Sequence, residues 1–198
     1  MTSPVASTSK EEWRAQFRTY RRSLNSAAYA ARSGLIVHRT LGLPVVADAQ
    51  VVHCYWPLSD RGEVDTRPLI AGLRSRDTEV VLPVITSFDP AQPTLEHRRY
   101  AGPGALETNR WGVCEPTHTD TIAPDALDLV LVPALGADHN GTRIGQGAGY
   151  YDAFLESVAC PCIALVYEAC ITASLPSTAH DVPMTMIVSE DDIYPVAD

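Results

Sequence analysis

The chain has 198 residues, 45% of them hydrophobic, and a formal net charge of −9. This length suits one domain with a sizeable core, and the composition is that of a folded chain rather than a disordered one. The acidic balance argues against nucleic acid as a partner, and no stretch approaches the roughly 20 apolar residues that cross a bilayer, so no membrane partner is expected.

The opening MTSPVASTSK lacks the apolar centre of a secretory signal, which makes the cytoplasm the expected compartment. Ser9-Lys10-Glu11-Glu12 then has the form of a capping box. It predicts a helix whose buried stripe is Trp13, Phe17, Tyr20 and Leu24. Lys10, Arg14, Arg18 and Arg22 recur every four residues as a second stripe beside it. Arg18, Arg21 and Arg22 read as surface charges. Residues 1–41 hold seven of the fifteen Lys and Arg but only Glu11 and Glu12 as acids, so +5 sits at the front and −14 on the remainder. A basic arm on an acidic body suits an anionic small ligand.

A second helix is expected from about residue 27 to 41, ending before Pro44. From there the pattern alternates. Residues 51–56 read as a strand, 66–74 as a helix capped by Thr66, 80–85 as a strand, and 94–100 as a more polar edge strand. A Pro/Gly/Thr-rich connection follows over 101–124. The unbroken apolar run 127–132 predicts a strand covered on both faces. A glycine-rich loop, a helix beginning near Tyr150, a strand at 162–167 and a last one at 187–188 complete the order. This rhythm predicts an α/β fold: a single domain over residues 1–198, its mostly parallel central sheet flanked by helices, with an N-terminal helical arm. The five cysteines form no zinc spacing and are expected to be reduced and mostly buried, and His53 and His139 to be structural.

Chemistry concentrates between Pro133 and Asp152. Gly145, Gly147 and Gly149 free the backbone to turn several N–H groups toward an anion, the following helix adds its dipole, and Arg143 adds a fixed cation. Asp152 lies one turn further, where a carboxylate can hold Mg²⁺ against phosphates. The loop matches neither the P-loop nor the dinucleotide fingerprint. On spacing alone, a tight structural turn and a solvated Asp152 remain open.

Pro133, Asp138, Gly141, Arg143, Gly145, Gly147, Gly149, Tyr150, Tyr151 and Asp152 fall in register with the signature of the 5-formyltetrahydrofolate cyclo-ligases, or methenyltetrahydrofolate synthetases, which this segment resembles. Other landmarks follow in order: Lys10-x-x-x-Arg14, Tyr55-Trp-Pro-Leu58 with Glu63-Val-Asp-Thr66, Val81-Leu-Pro83, Trp111 to Pro116, Tyr167-Glu168, Leu175-Pro176 and His180-Asp181. Ala137, Gln146, Ala148 and Ala169 depart from the pattern.

The resemblance implies an ATP- and Mg²⁺-dependent ligase that converts 5-formyltetrahydrofolate to 5,10-methenyltetrahydrofolate. ATP would phosphorylate the formyl oxygen, N10 would close the ring, and ADP and phosphate would leave. Lys10 and Arg143 are the implied catalytic groups. Lys10, Arg14, Arg143, Ile144, Gly145, Gln146, Gly147, Ala148, Gly149, Tyr150 and Tyr151 would bind ATP. Leu58, Glu63, Trp111, Gln146 and Tyr150 would bind the reduced folate, and Asp152 and Asp181 would hold the metal. One of Tyr150 and Tyr151 should lie under the loop and the other face ligand. The partners are then small molecules, with the protein a monomer or small homo-oligomer. A non-catalytic folate- or nucleotide-binding homologue and a phosphate-ligand isomerase on a similar scaffold are the alternative readings.

Overall fold

A computed structural model describes residues 8–89 and 92–196; the first seven residues, part of the segment read for a secretory signal, lie outside it. The first helix, α1, runs Lys10–Ser23, and its capping box forms as read, with Ser9 and Glu12 bonded both ways. Phe17 is buried on it, with Trp13, Tyr20 and Leu24 packed more loosely against the same core. Asn25 caps α2 (Ser26–Leu41) through the Ala28 N–H. Pro44, read as a breaker, opens a short helix instead, α3 (Pro44–Asp48). Its missing N–H falls where a helix leaves that donor unused anyway.

Strand β1 is only Val51–His53, shorter than the apolar run suggested. Helix α4 spans Arg67–Arg74, but Thr66 does not cap it. The Thr66 hydroxyl instead donates to the Tyr55 carbonyl, tying the helix start to the segment after β1. The two expected strands are β2 (Glu79–Ser87) and β3 (Thr94–Arg99), which pair antiparallel with β3 at the sheet edge. The connection over 101–124 is not featureless: β4 (Leu106–Thr108) and β5 (Cys114–Pro116) pair antiparallel within it.

The buried run becomes β6 (Leu129–Pro133). After it, β7 (Gly136–Asp138) and β8 (Arg143–Ile144) form a small hairpin, which β10 (Ile171–Thr172) extends into a three-stranded sheet. Helix α5 (Tyr150–Leu155) begins where the glycines end. Then come β9 (Cys162–Leu165), β11 (Met186–Val188) and an antiparallel β12 (Ile193–Pro195) that the sequence reading missed.

The main sheet has seven strands in the order β12-β11-β9-β6-β1-β2-β3. All neighbours are parallel except at the two edges. Val130, Leu131 and Val132 are each 0% exposed. Successive side chains point to opposite faces, so both faces of β6 are covered. Among the described residues the cysteines are free, with Cys54, Cys162 and Cys170 buried, and no helix is long and apolar enough to cross a membrane.

Chain order runs outward in both directions from β1 and β6, so the sheet changes direction between them. In open α/β sheets, ligands collect outside the carboxyl ends of the strands at such a point.

Candidate active site

The fold places a cavity of about 280 Å³ there. Tyr55, Trp56 and Leu58, which follow β1, line it together with Pro133, Ala134 and Leu135 at and beyond the end of β6. The third wall is the stretch Arg143–Asp152, and the fourth is α1 with Lys10, Arg14 and Arg21. Asp181, Glu63 and Glu115 complete the polar lining.

The glycine loop lies open. Among the described residues, the N–H groups of Gly145 through Gly149 donate no hydrogen bond. Gly147 and Gly149 have φ of +98° and +78°, a region that costs other residues strain. The loop is held from outside, by its oxygens. Arg14 Nε donates to the Gly145 carbonyl at 3.1 Å, and Arg18 donates to both the Gln146 carbonyl and its side-chain oxygen. Arg18, read as a surface charge, is thus a clamp on the loop. Anchoring the carbonyls on α1 leaves the amides for another partner.

Two of the candidate cations, Lys10 and Arg143, each meet a candidate carboxylate. Lys10 Nζ lies 2.5 Å from Asp181, and Arg143 Nη2 lies 2.7 Å from Asp152. Burial pushes the Asp181 carboxyl up, but Lys10 and the Thr178 N–H outweigh it and hold it below the ordinary carboxylate value. Arg143 also donates to the Val182 carbonyl, so one guanidinium ties α5 to the Asp181 segment. Beneath it, buried Asp138 takes N–H bonds from Asn140, Thr142 and Leu175, which fixes the β7–β8 turn.

The other end of the cavity is drier. Glu63 is 7% exposed and accepts the Leu58 N–H at 3.0 Å. Burial raises its carboxyl above the ordinary value, while the Leu58 N–H and the charge of Arg21 pull it back. Arg21 corrects the surface reading outright: it is 4% exposed and lines the cavity. The signal was available. A helix turns by about 100° per residue, so position 21 returns to within about 20° of Lys10, whereas three four-residue steps to position 22 drift by about 120°.

Both tyrosines line the cavity, and they differ in what their hydroxyls meet. The Tyr150 hydroxyl donates to the Ser87 carbonyl at 2.9 Å, and the ring lines the cavity. The Tyr151 hydroxyl is buried with no partner among the described residues, beside the rings of His53 and Phe154. Leu58, Glu63, Gln146 and Tyr150 therefore share the cavity, but Trp111 does not line it. Trp111 is 40% exposed and packs edge-on against Phe88, 6.5 Å from the Tyr150 ring. His53 is fully buried against His97 and Phe154, and among the described residues no group of three or more His, Cys, Asp or Glu is placed to hold a metal. The thiols of Cys54, Cys162 and Cys170 are pushed up to about 12 by burial, which excludes them as thiolate nucleophiles.

Comparison with known proteins gives a consistent picture. A sequence model of a family described as the 5-formyltetrahydrofolate cyclo-ligase family matches residues 6–190. A 5-formyltetrahydrofolate cyclo-ligase of Mycolicibacterium smegmatis is 30% identical over 189 residues, covering 91% of this chain and 93% of that protein. One from Haemophilus influenzae is 26% identical over 180 residues, covering 88% and 94%. Among solved structures, the 5,10-methenyltetrahydrofolate synthetase of Aquifex aeolicus aligns with a TM-score of 0.81 at 26% identity, covering 96% of this chain and 93% of that one.

Proposed function

The chain belongs to the 5-formyltetrahydrofolate cyclo-ligase family, a ligase that forms a carbon–nitrogen bond, and we propose that its cavity closes 5-formyltetrahydrofolate to 5,10-methenyltetrahydrofolate with ATP as the driving co-substrate. One observation carries this reading. The unpartnered amides of Gly145–Gly149, with Lys10, Arg14 and Arg143, share a single cavity with a buried carboxylate, Glu63. A triphosphate suits the first set and the amino and ring N–H groups of a pterin suit the second.

The chemistry requires both. The formyl oxygen on N5 is a poor leaving group until it is phosphorylated. In the proposed sequence the oxygen takes the γ-phosphoryl group and ADP leaves. N10 then bonds to the formyl carbon and loses its proton, and the N5 lone pair expels phosphate to give the methenyl cation. Phosphoryl transfer is catalysed chiefly by positioning and by charge already in place. Arg143 and Lys10 supply that charge, Arg14 and the loop amides seat the phosphates, and Glu63 fixes the ring so that the formyl oxygen faces them. Leu58, Gln146 and Tyr150 form the remaining contact surface for the folate.

Mg²⁺ fits the donor set. It binds through one or two carboxylates plus phosphates and water, and Asp152 and Asp181 are carboxylates on the phosphate side of the cavity. When bound it would neutralise phosphate charge. The residues' own part is exchange: Lys10 and Arg143 must release Asp181 and Asp152 to reach phosphates, which frees the same carboxylates for a cation.

The test is direct. Mixing the protein with Mg-ATP and 5-formyltetrahydrofolate should raise the absorbance of the methenyl product, with one ADP formed per turnover. Binding of both ligands without product would reduce the protein to a binding homologue, and loss of phosphate from ATP without a folate requirement would remove the assignment.

A further inference from the structure

Arg21 is a buried guanidinium whose needs the fold does not meet. Its Nη2 donates to the Ala134 carbonyl, its Nε–H is buried without a partner, and no carboxylate pairs with it among the described residues. The other buried charges are served: Arg143 by Asp152, Asp138 by three N–H groups, Glu190 by Arg32, Glu115 by the Ile85 N–H. Leaving a buried donor unpaired costs free energy, more so for a charged group. A donor kept in that condition on a cavity wall is set for an acceptor that arrives with the ligand.

Its position relative to Glu63 is fixed by backbone contact. Gly62, at φ +65°, lies so close to α1 that a Cβ there would meet the Arg21 Cβ at 3.1 Å and its carbonyl oxygen at 3.2 Å. Glu63 follows directly and lines the same cavity as Arg21.

The next step rests on the folate reading given above. The edge of a 2-amino-4-oxopteridine presents, in sequence, an amine donor, a ring N3–H donor and the C4 carbonyl acceptor. A carboxylate accepts from the first two and offers nothing to the third. We propose that Arg21 donates to the C4 carbonyl oxygen of the reduced pterin, so that Glu63 and Arg21 together read the whole edge. Arg21 is then a specificity-determining residue. It touches the ring at C4, beside the N5 that carries the formyl group, and sets which pteridines enter.

The probe is a pair of tetrahydrofolates that differ only at C4, one carrying oxygen and the other sulfur. Both keep the two donors for Glu63, but sulfur is a weak acceptor. Binding is measured by calorimetry without nucleotide, on the native protein and on Arg21→Met. A hydrogen bond from a charged donor corresponds to a preference for the 4-oxo ring of about 10- to 100-fold in the native protein. Arg21→Met should bind the two rings within about threefold of each other, because the coupling between Arg21 and the ring oxygen is gone. If Arg21→Met keeps the native preference, or loses both ligands in equal proportion, the proposal is wrong. Equal binding of both rings by the native protein also overturns it, even if the variant does not fold. Failure of the native protein to bind either ring marks a different fault, in the folate reading itself.

Discussion

The two ends of the cavity hold their charges in opposite ways. At the end proposed for phosphates every candidate cation already has a partner: Lys10 has Asp181, Arg143 has Asp152, and Arg14 has the Gly145 carbonyl. At the end proposed for the pterin, Glu63 and Arg21 are buried and form no ion pair with each other or with anything else described. Exchangeable pairs suit a ligand that must enter, react and leave as two pieces. Fixed, unpaired groups suit a ring that must be held in one orientation throughout. The first end is a set of partners waiting to be swapped; the second is a template.

Three substitutions break or sharpen that contrast. Arg143→Ala should have the largest effect, lowering turnover by about 10³-fold, the scale seen when a preorganised donor to developing charge is removed. ATP titration should show a parallel loss of affinity, and near-native turnover would remove Arg143 from the phosphate site.

Glu63→Gln comes next. It should weaken reduced-folate binding by about 10- to 100-fold and leave ATP binding almost unchanged. Equal losses for both ligands would dissolve the distinction between the two ends. The pH dependence follows from the same side chain. The carboxyl sits above its ordinary value of 4.5, chiefly through burial, so folate affinity should fall as the pH drops through that raised value. Stability moves the other way there. The folded carboxyl holds its proton more tightly than the unfolded one, so acid relieves the cost of burying its charge.

Asp181→Asn should be smallest and opposite in sign for the two forms of the nucleotide. Metal-free ATP should bind about two- to fivefold more tightly, since Lys10 is released and a repelling charge is removed. Mg-ATP should bind more weakly. If both forms shift alike, Asp181 takes no part in an exchange.

Much of this was legible in the residues. The apolar run at 127–132 predicted a strand buried on both sides, the capping box announced α1, and the three glycines marked a loop with free amides, two of them, Gly147 and Gly149, at positive φ. What escaped notice depends on contacts distant in sequence. β7, β8 and β10 are two or three residues each and exist only because they pair with one another. Arg21 was hidden by counting in fours along a helix that repeats every 3.6 residues. Trp111 follows a turn set by Asn109, whose side-chain oxygen accepts the Trp111 and Val113 N–H groups and leaves the indole on the surface. Thr66 stands where a cap would, but the Tyr55 carbonyl competes for its hydroxyl.

The docking of α1 on the glycine loop also bears on synthesis. Arg14 meets a partner 131 positions later and Lys10 one 171 positions later. At translation rates of about 5–20 residues per second, the helix waits on the order of ten to thirty seconds for the strands and loop it will grip. Through that interval the Phe17 ring, which comes to lie against Gly136, waits without the surface that covers it in the folded chain.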